Sequence, residues 1–175
     1  GYQDQVASIY GSVSIADYYE NDLNINKASD SWERGIIKLI EGKGFLFKTN
    51  PRTGISSNYI NSISLEKKLK MYEEVLNIAE NIDLLNDNYD EENLINLLIK
   101  TSVLAKKMKS RSKEIIEIED QLYKSGAVYC KQLGAGGGGF IFSLFDTDNP
   151  NIPKDLRNIM IRPKIANKGT TILTG

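Results

Sequence analysis

Hydrophobic and polar positions along the chain predict three amphipathic helices between two groups of short strands. The helices are expected at 64–85, from Asp90, and from about Ser112 to Gly126, with Ser64, Asp90 and Ser112 as N-caps. Alternating or continuous apolar runs predict strands within 12–27, with a turn at 20–22, and at 44–49, 127–133, 140–145, 159–161 and 170–173. Residues 1–10 fit a short helix, and 30–43 fit either a helix or a strand. This order predicts an α+β domain with helices on one face of a mainly antiparallel sheet.

The spacing within the helices indicates which faces are apolar. In the helix over 64–85, one face carries Leu65, Leu69, Tyr72, Leu76 and Ala79. The second helix is expected to bury Leu94, Leu97, Leu98, Thr101, Ala105 and Met108, and the third to pack Ile115, Ile118 and Leu122.

Composition excludes several classes of function. The formal net charge is −1, so no overall positive field favours nucleic acid or an anionic membrane, and no apolar run reaches the length of a membrane helix. The chain has no histidine, which rules out histidine-based triads, and acid–base chemistry must come from Asp, Glu, Lys or Tyr. The one cysteine, Cys130, cannot form an internal disulfide, is expected in the core, and fits a reducing cytoplasm. The basic cluster at 106–113 is interpreted as a solvated helix end rather than a nucleic-acid site.

A glycine run at 134–139 is the most distinctive local feature, because five of its six residues are glycine. Glycine permits positive φ, and successive exposed N–H groups in such a turn can bind an anion. The run formally fits the dinucleotide fingerprint, but that motif needs a helix after it, where Phe140 begins a predicted strand. A Walker A loop would end in Gly-Lys-Ser/Thr, which is not present here. A purely structural glycine-rich hairpin is the remaining alternative.

The stretch from Leu133 to Phe140 resembles the third conserved motif of the GHMP kinases. Between these two residues it contains Gly134, Ala135, Gly136, Gly137, Gly138 and Gly139. The resemblance implies that the 134–138 loop helps to shape a phosphate and nucleotide pocket.

The opening Gly-Tyr-Gln-Asp-Gln is similar to a segment of the sugar kinases in that family, among which those acting on heptose 7-phosphate are nearest in pattern. It implies that Asp4 is the catalytic base and that Gln3 and Gln5 contact the sugar. Spacing alone makes Asp4 an acid at a helix N-terminus.

A further segment resembles the family less closely. The strand at 45–47, followed by Thr53, Gly54, Ile55, Ser56 and Ser57, is similar to the family's strand and Thr-Gly-x-Ser-Arg sequence. The resemblance assigns Thr53, Gly54 and Ser56 to substrate binding. Ser57 stands where the family has arginine, which leaves the acceptor's identity open; Arg52 offers the same charge nearby.

The resemblance also implies a domain organisation and cofactors. Residues 45–175 would form the ferredoxin-like two-layer C-terminal domain of a GHMP kinase, and 1–44 a remnant of its N-terminal domain. ATP and Mg²⁺ are the implied cofactors, with a sugar or sugar phosphate as acceptor. The family's main ATP loop and magnesium ligands match nothing in this chain, so we expect the chain alone to be inactive.

The alternative is a non-catalytic regulatory or oligomerisation module with the same fold. Exposed sheet edges would then pair with another chain, and a homo-oligomer is one such arrangement. No nucleic-acid or membrane partner is expected.

Overall fold

The computed structural model describes residues 11–18, 22–50, 63–108, 111–134, 138–166 and 169. Its strands are β1 (Ser14–Tyr18), β2 (Leu23–Lys27), β3 (Gly44–Lys48), β4 (Ala127–Gln132), β5 (Phe140–Phe145) and β6 (Met160–Ile161). Its helices are α1 (Asp30–Lys43), α2 (Leu65–Leu84), α3 (Glu91–Met108), α4 (Lys113–Lys124) and α5 (Lys154–Arg157). The predicted helix at 1–10 and strand at 170–173 lie outside the described residues.

The main sheet has the strand order β4-β5-β3-β6, and each neighbouring pair is antiparallel. If these four strands are numbered by their order in the chain, their order in the sheet is 2-3-1-4. Helices connect the first strand to the second and the third strand to the fourth. That is the arrangement of a ferredoxin-like split βαβ unit. The predicted α+β class, with helices packed on an antiparallel sheet, is confirmed.

Helices cover both faces of this sheet, so the expectation of helices on one face is wrong, because α1 and α3 bury the second face. One core cluster joins Phe45 and Phe47 of β3 to Ile115, Ile118 and Leu122 of α4. The other joins Leu39 of α1 and Leu94 of α3 to Tyr129 and Leu144 on the opposite face. The sequence of residues 30–43 is compatible with either a helix or a strand. In the structure this region is helix α1, and it contributes to the core. The division at residue 44 remains a prediction.

The helix starts agree with the predicted caps, but only two of the three caps form a side-chain bond. Ser112 Oγ accepts from Ile115 N at 3.3 Å, and Asp90 Oδ1 accepts from Asn93 N at 3.0 Å. Ser64 occupies the N-cap position of α2 without a side-chain hydrogen bond. α4 ends at Lys124, and Gly126, the residue after its C-cap Ser125, has a φ of 92°, which favours glycine.

α2 is the least buried long helix. It packs on α3 through Ile78, whereas the apolar face identified in the sequence is turned to solvent. On that face Leu65 is 71% exposed, Leu69 54%, Tyr72 49% and Leu76 63%.

Two further side chains connect separate elements of the fold. Ser102 Oγ of α3 donates to Cys130 O on strand β4 at the sheet edge, at 2.5 Å. The Arg162 guanidinium lies 4.3 Å from the centre of the Phe45 ring and donates to carbonyls of Gly42 and Asp148. None of the helices that the structure describes is both long enough and apolar enough to cross a bilayer.

Candidate functional site

The glycine run forms the turn between β4 and β5 at one end of the sheet. Leu133 N donates to Phe140 O at 2.9 Å, which closes the hairpin at the base of the turn. Gly134, Gly138 and Gly139 have φ values of 70°, 141° and 110°. These are backbone conformations that other residues adopt only with strain, so the turn requires glycine at these three positions.

The strand on each side of the run decides between two of the sequence interpretations. Residues 140–145 form β5, not a helix, so the context of a dinucleotide fingerprint is not met. What remains is a glycine-rich connection between two antiparallel strands. Of the predicted loop residues, Gly134 and Gly138 are described, whereas Ala135, Gly136 and Gly137 lie outside the described residues.

The end of β3 lies directly beside this turn. Thr49 N donates to Gly139 O at 2.9 Å, and Gly139 N donates to Asn50 O at 3.2 Å. Asn50 N in turn donates to Glu114 Oε1, in the first turn of α4, at 3.2 Å. Asn50 is also the residue after which the predicted substrate segment begins. The structure thus joins the glycine turn, the entry to that segment and the start of α4 at one end of the sheet.

The remaining predicted site residues are outside the part of the chain that the structure describes. These are Gln3, Asp4, Gln5, Thr53, Gly54 and Ser56. Their roles stay predictions.

The N-terminal segment enters the described structure at Gly11 and Ser12. Ser12 N donates to Ala166 O at 2.7 Å, and Ser12 Oγ donates to Glu33 of α1. This hydroxyl, and then Lys27 at 3.5 Å, hold the pKa of Glu33 below its usual value. Ser12 therefore links the first turn of α1 to the segment that follows β6.

A buried charged cluster lies between α3, α4 and β4, close to the glycine turn. The Glu119 carboxylate is 2% exposed and pairs with Arg111 and, at 3.1 Å, with Lys106. Burial lowers the pKa of Lys106, but Glu119 and Tyr123 outweigh this effect and leave it raised. The interpretation of 106–113 as a solvated helix end is therefore wrong for Lys106 and Arg111, because both side chains serve a buried carboxylate.

Lys131 and Gln132 complete this cluster on the strand that leads into the turn. Gln132 is buried, and burial lowers the pKa of Lys131. Among the described residues, no carboxylate pairs with Lys131. A crevice of about 10 Å³ lies among these side chains, which is space for one water molecule. Sequence reasoning missed Lys131; a lysine between Cys130 and Gln132 on a strand predicted to be apolar is the signal that could have found it.

Cys130 itself is fully buried, as expected. Burial raises the pKa of its thiol to about 11, and Ser143 Oγ donates to its sulfur at 3.2 Å. A thiol that stays protonated is a poor nucleophile, so Cys130 is a core residue. In the described ranges, no group of three acidic or thiol side chains is placed to hold a metal ion.

No family model matches the sequence, and neither does any curated protein. Solved structures do match. A Campylobacter jejuni protein described as a sugar kinase aligns with a TM-score of 0.67 and 22% identity, over 95% of this chain and 47% of that one. The L. major mevalonate kinase, solved with R-mevalonate, gives 0.59 and 15% over 89% and 45%. The Methanococcus jannaschii mevalonate kinase gives 0.51 and 21% over 77% and 38%.

These neighbours are kinases of the GHMP family, and the fold of this chain is that of part of such a kinase. The chain spans less than half the length of each of them. At identities below one quarter, this structural likeness establishes the fold of the chain and not its activity.

Proposed function

We propose that this chain is the C-terminal part of an ATP-dependent sugar kinase of the GHMP type. It would contribute to transfer of the ATP γ-phosphoryl group to a hydroxyl of a sugar or sugar phosphate, with a heptose 7-phosphate-like acceptor favoured. The observation that carries the proposal is the glycine turn. A run that matches the family's third motif sits between two antiparallel strands of a fold shared with kinases.

The geometry of the turn supports a role at phosphate. Gly134, Gly138 and Gly139 carry no side chain, and all three have positive φ. Phosphoryl transfer depends mostly on positioning and on stabilising charge, which backbone N–H groups provide without titrating. We assign residues 134–138 to one wall of the phosphate pocket, with Mg²⁺ and the ATP loop supplied by sequence that has no counterpart here.

The acceptor side of the site is proposed from the sequence. Asp4 would orient the acceptor hydroxyl and take its proton, and Gln3 and Gln5 would hydrogen-bond the sugar. Thr53, Gly54 and Ser56 would complete the pocket. The bond between Gly139 N and Asn50 O supports this grouping, because it holds the entry to the 53–56 segment against the glycine turn.

The test is turnover by a longer polypeptide that joins the coding sequence upstream of Gly1 to this chain. We expect that sequence to contain a glycine- and serine-rich phosphate loop, and the joined protein to phosphorylate a sugar from a panel including heptose 7-phosphate. Asp4→Asn should abolish turnover, by at least about a thousandfold, while ATP still binds. Asp120→Asn is the matched control, because Asp120 is exposed on α4; it should leave turnover unchanged.

The 175-residue chain alone should show no ATP-dependent phosphorylation of any acceptor in the panel. Normal turnover by Asp4→Asn in the longer protein would end the assignment of the base. Robust activity of the isolated chain would show that the phosphate loop is not needed from elsewhere. The non-catalytic module remains the alternative if the upstream sequence carries no such loop.

A further inference from the structure

The outer face of α2 is apolar and has no partner among the described residues. Its large side chains Leu65, Leu69, Tyr72 and Leu76, here called the α2 seam, are each about half to three-quarters exposed. They are separated by four, three and four positions, and Ala79 continues the pattern. Alternating steps of four and three are the spacing by which one helix packs along another in a coiled coil.

The seam is separate from the face that α2 uses within its own domain. α2 meets α3 through Ile78, which is buried, with Met71 and Ile82 half-buried beside it. At 100° per residue, Ile78 lies roughly 150° around the helix axis from the middle of the seam. The fold therefore buries one side of α2 and leaves a second apolar side in water, as at an interaction surface.

The charges beside the seam differ between its two flanks. Glu66, Glu73 and Glu80 recur every seven residues on one flank, and Lys68, Val75 and Ile82 on the other. Among the described residues, neither Lys68 nor Glu73 takes part in an ion pair. Both charges are thus available to a helix that packs on the seam.

These flanks favour a second copy of the same helix in parallel orientation. In a parallel pair each flank faces the opposite flank of the other helix, so Lys68 of each copy meets Glu73 of the other copy. In an antiparallel pair like flanks meet, and three glutamates of one helix would face three of the other. Such charge pairs between helices set orientation in coiled coils.

We propose that the α2 seam is the interface of a parallel, two-fold symmetric homodimer of this chain. The symmetry makes the contact self-complementary and closed. The seam extends over about 21 Å, from Leu65 to Ala79 at 1.5 Å per residue, which is short for a coiled coil. The dimer should therefore be concentration-dependent. This inference does not depend on the kinase assignment.

Sedimentation equilibrium of the 175-residue chain over a range of concentrations tests the interface. The mass should rise from 19.6 kDa toward twice that value. Leu69→Lys places a charge in the seam and should weaken dimerisation at least about tenfold. Leu84→Lys is the matched control: it is the same change at a leucine that is 74% exposed on α2 but lies off the seam. It should leave the dissociation constant unchanged, and circular dichroism should show both variants folded.

Charge reversal tests the orientation. Lys68→Glu and Glu73→Lys should each weaken the dimer by about fivefold to tenfold, since each brings like charges together twice. The double variant should return the dissociation constant to within about threefold of the original, because it restores opposite charges.

Three outcomes would overturn the proposal. A chain that stays monomeric at every concentration would mean that another partner covers the seam. A dimer indifferent to Leu69→Lys would lie on another surface. Tighter association of Glu73→Lys would indicate antiparallel helices, in which that change relieves repulsion.

Discussion

Lys106 and Lys131 show that the surroundings of a buried lysine decide whether it stabilises or destabilises the folded state. Lys106 reaches the buried Glu119 carboxylate at 3.1 Å and Tyr123 Oη at 3.3 Å. Lys131 is also largely buried but has no carboxylate among the described residues, and burial lowers its pKa. A buried ammonium without a counter-charge destabilises the folded state, so Lys131 is a place where the fold gives up stability.

Replacing Lys131 by methionine should stabilise the protein, and the gain should depend on pH. The pKa of Lys131 in the folded protein lies below its usual 10.5. Between these two values the unfolded chain binds more protons, so the free energy of unfolding of the natural protein rises with pH through that window. The advantage of Lys131→Met is therefore full near pH 7 and shrinks as the pH approaches 10.5. Urea unfolding at several pH values measures it.

Lys100→Met provides the comparison, because Lys100 is exposed on α3. At pH 7 its effect on the free energy of unfolding should be within about 0.5 kcal/mol of zero, because the change is made on the surface. A Lys131→Met variant that is less stable than the natural protein at pH 7 would contradict the prediction, and would point to a favourable partner for this ammonium.

At this scale the sequence could not reveal the ion cluster. Glu117, Glu119 and Asp120 belong to one acidic run on α4, and only packing distinguishes the buried Glu119 from its exposed neighbours. Lys106 and Arg111 likewise belong to a basic stretch that reads as surface. Lys106 lies on α3, Glu119 on α4 and Arg111 just before α4, and their pairing depends on how α3 and α4 sit over β4.

At the scale of elements, the turn between β4 and β5 requires glycine at Gly139, whereas helix α1 does not require it at Gly42. Gly139 has a φ of 110°, which an L side chain adopts only with strain, although no atom lies within 4 Å of the site of a Cβ. Gly42 lies in α1, also with open space around its Cβ site. The two residues therefore separate backbone conformation from steric room.

Gly139→Ala should lower the free energy of unfolding by about 1 to 2 kcal/mol, because the alanine is strained in this conformation. Gly42→Ala should raise it by roughly 0.5 to 1 kcal/mol, because alanine favours the helix. Chemical denaturation of both variants gives the comparison. Equal effects of the same sign would show that the turn can relax to accommodate a side chain.

Elements were predictable where local pattern and packing agree. β5 is a continuous apolar run between two turns, and α4 has both a capping serine and a buried stripe, so both were found. The pattern of 30–43 was ambiguous, because Trp32, Ile36, Ile37, Leu39 and Ile40 are dense enough for either structure. The apolar face of α2 was found, but periodicity does not say whether such a face meets the core of its own chain.

For the whole molecule, the main question is where the stable unit begins. The resemblance to GHMP kinases divides the chain at residue 44, yet Leu39 and the half-buried Ile36 of α1 pack with Leu94, Tyr129 and Leu144. The two-stranded sheet of β1 and β2 is separate from the main sheet. The folding unit should therefore include α1 but not the preceding hairpin.

Two truncations test this boundary. A chain of 28–175 should unfold cooperatively and keep most of its stability, because both core clusters remain. A chain of 44–175 loses the buried Trp32 and Leu39 and should lose at least about 5 kcal/mol, or fail to fold. Thermal unfolding followed by circular dichroism compares them. Equal stability of the two chains would restore the boundary at residue 44.

The candidate site was predictable only in part. The glycine turn and its flanking strands follow from glycines bounded by apolar runs. The contact of Gly139 with Thr49 and Asn50 does not, because it joins positions far apart in sequence through the pairing of β3 and β5. The roles of Asp4 and Thr53 come from resemblance alone.

The central position of β3 has a consequence for how the chain acquires its structure. Its two neighbours are β5 and β6, and Lys48 pairs with Phe140, roughly ninety residues later. During synthesis β3 emerges about ninety residues before β5, so Phe45 and Phe47 stay uncovered until a neighbouring strand has been made. The hairpin of β4 and β5 forms locally and must then pair with β3, so until that point β3 is exposed to aggregation or to a chaperone.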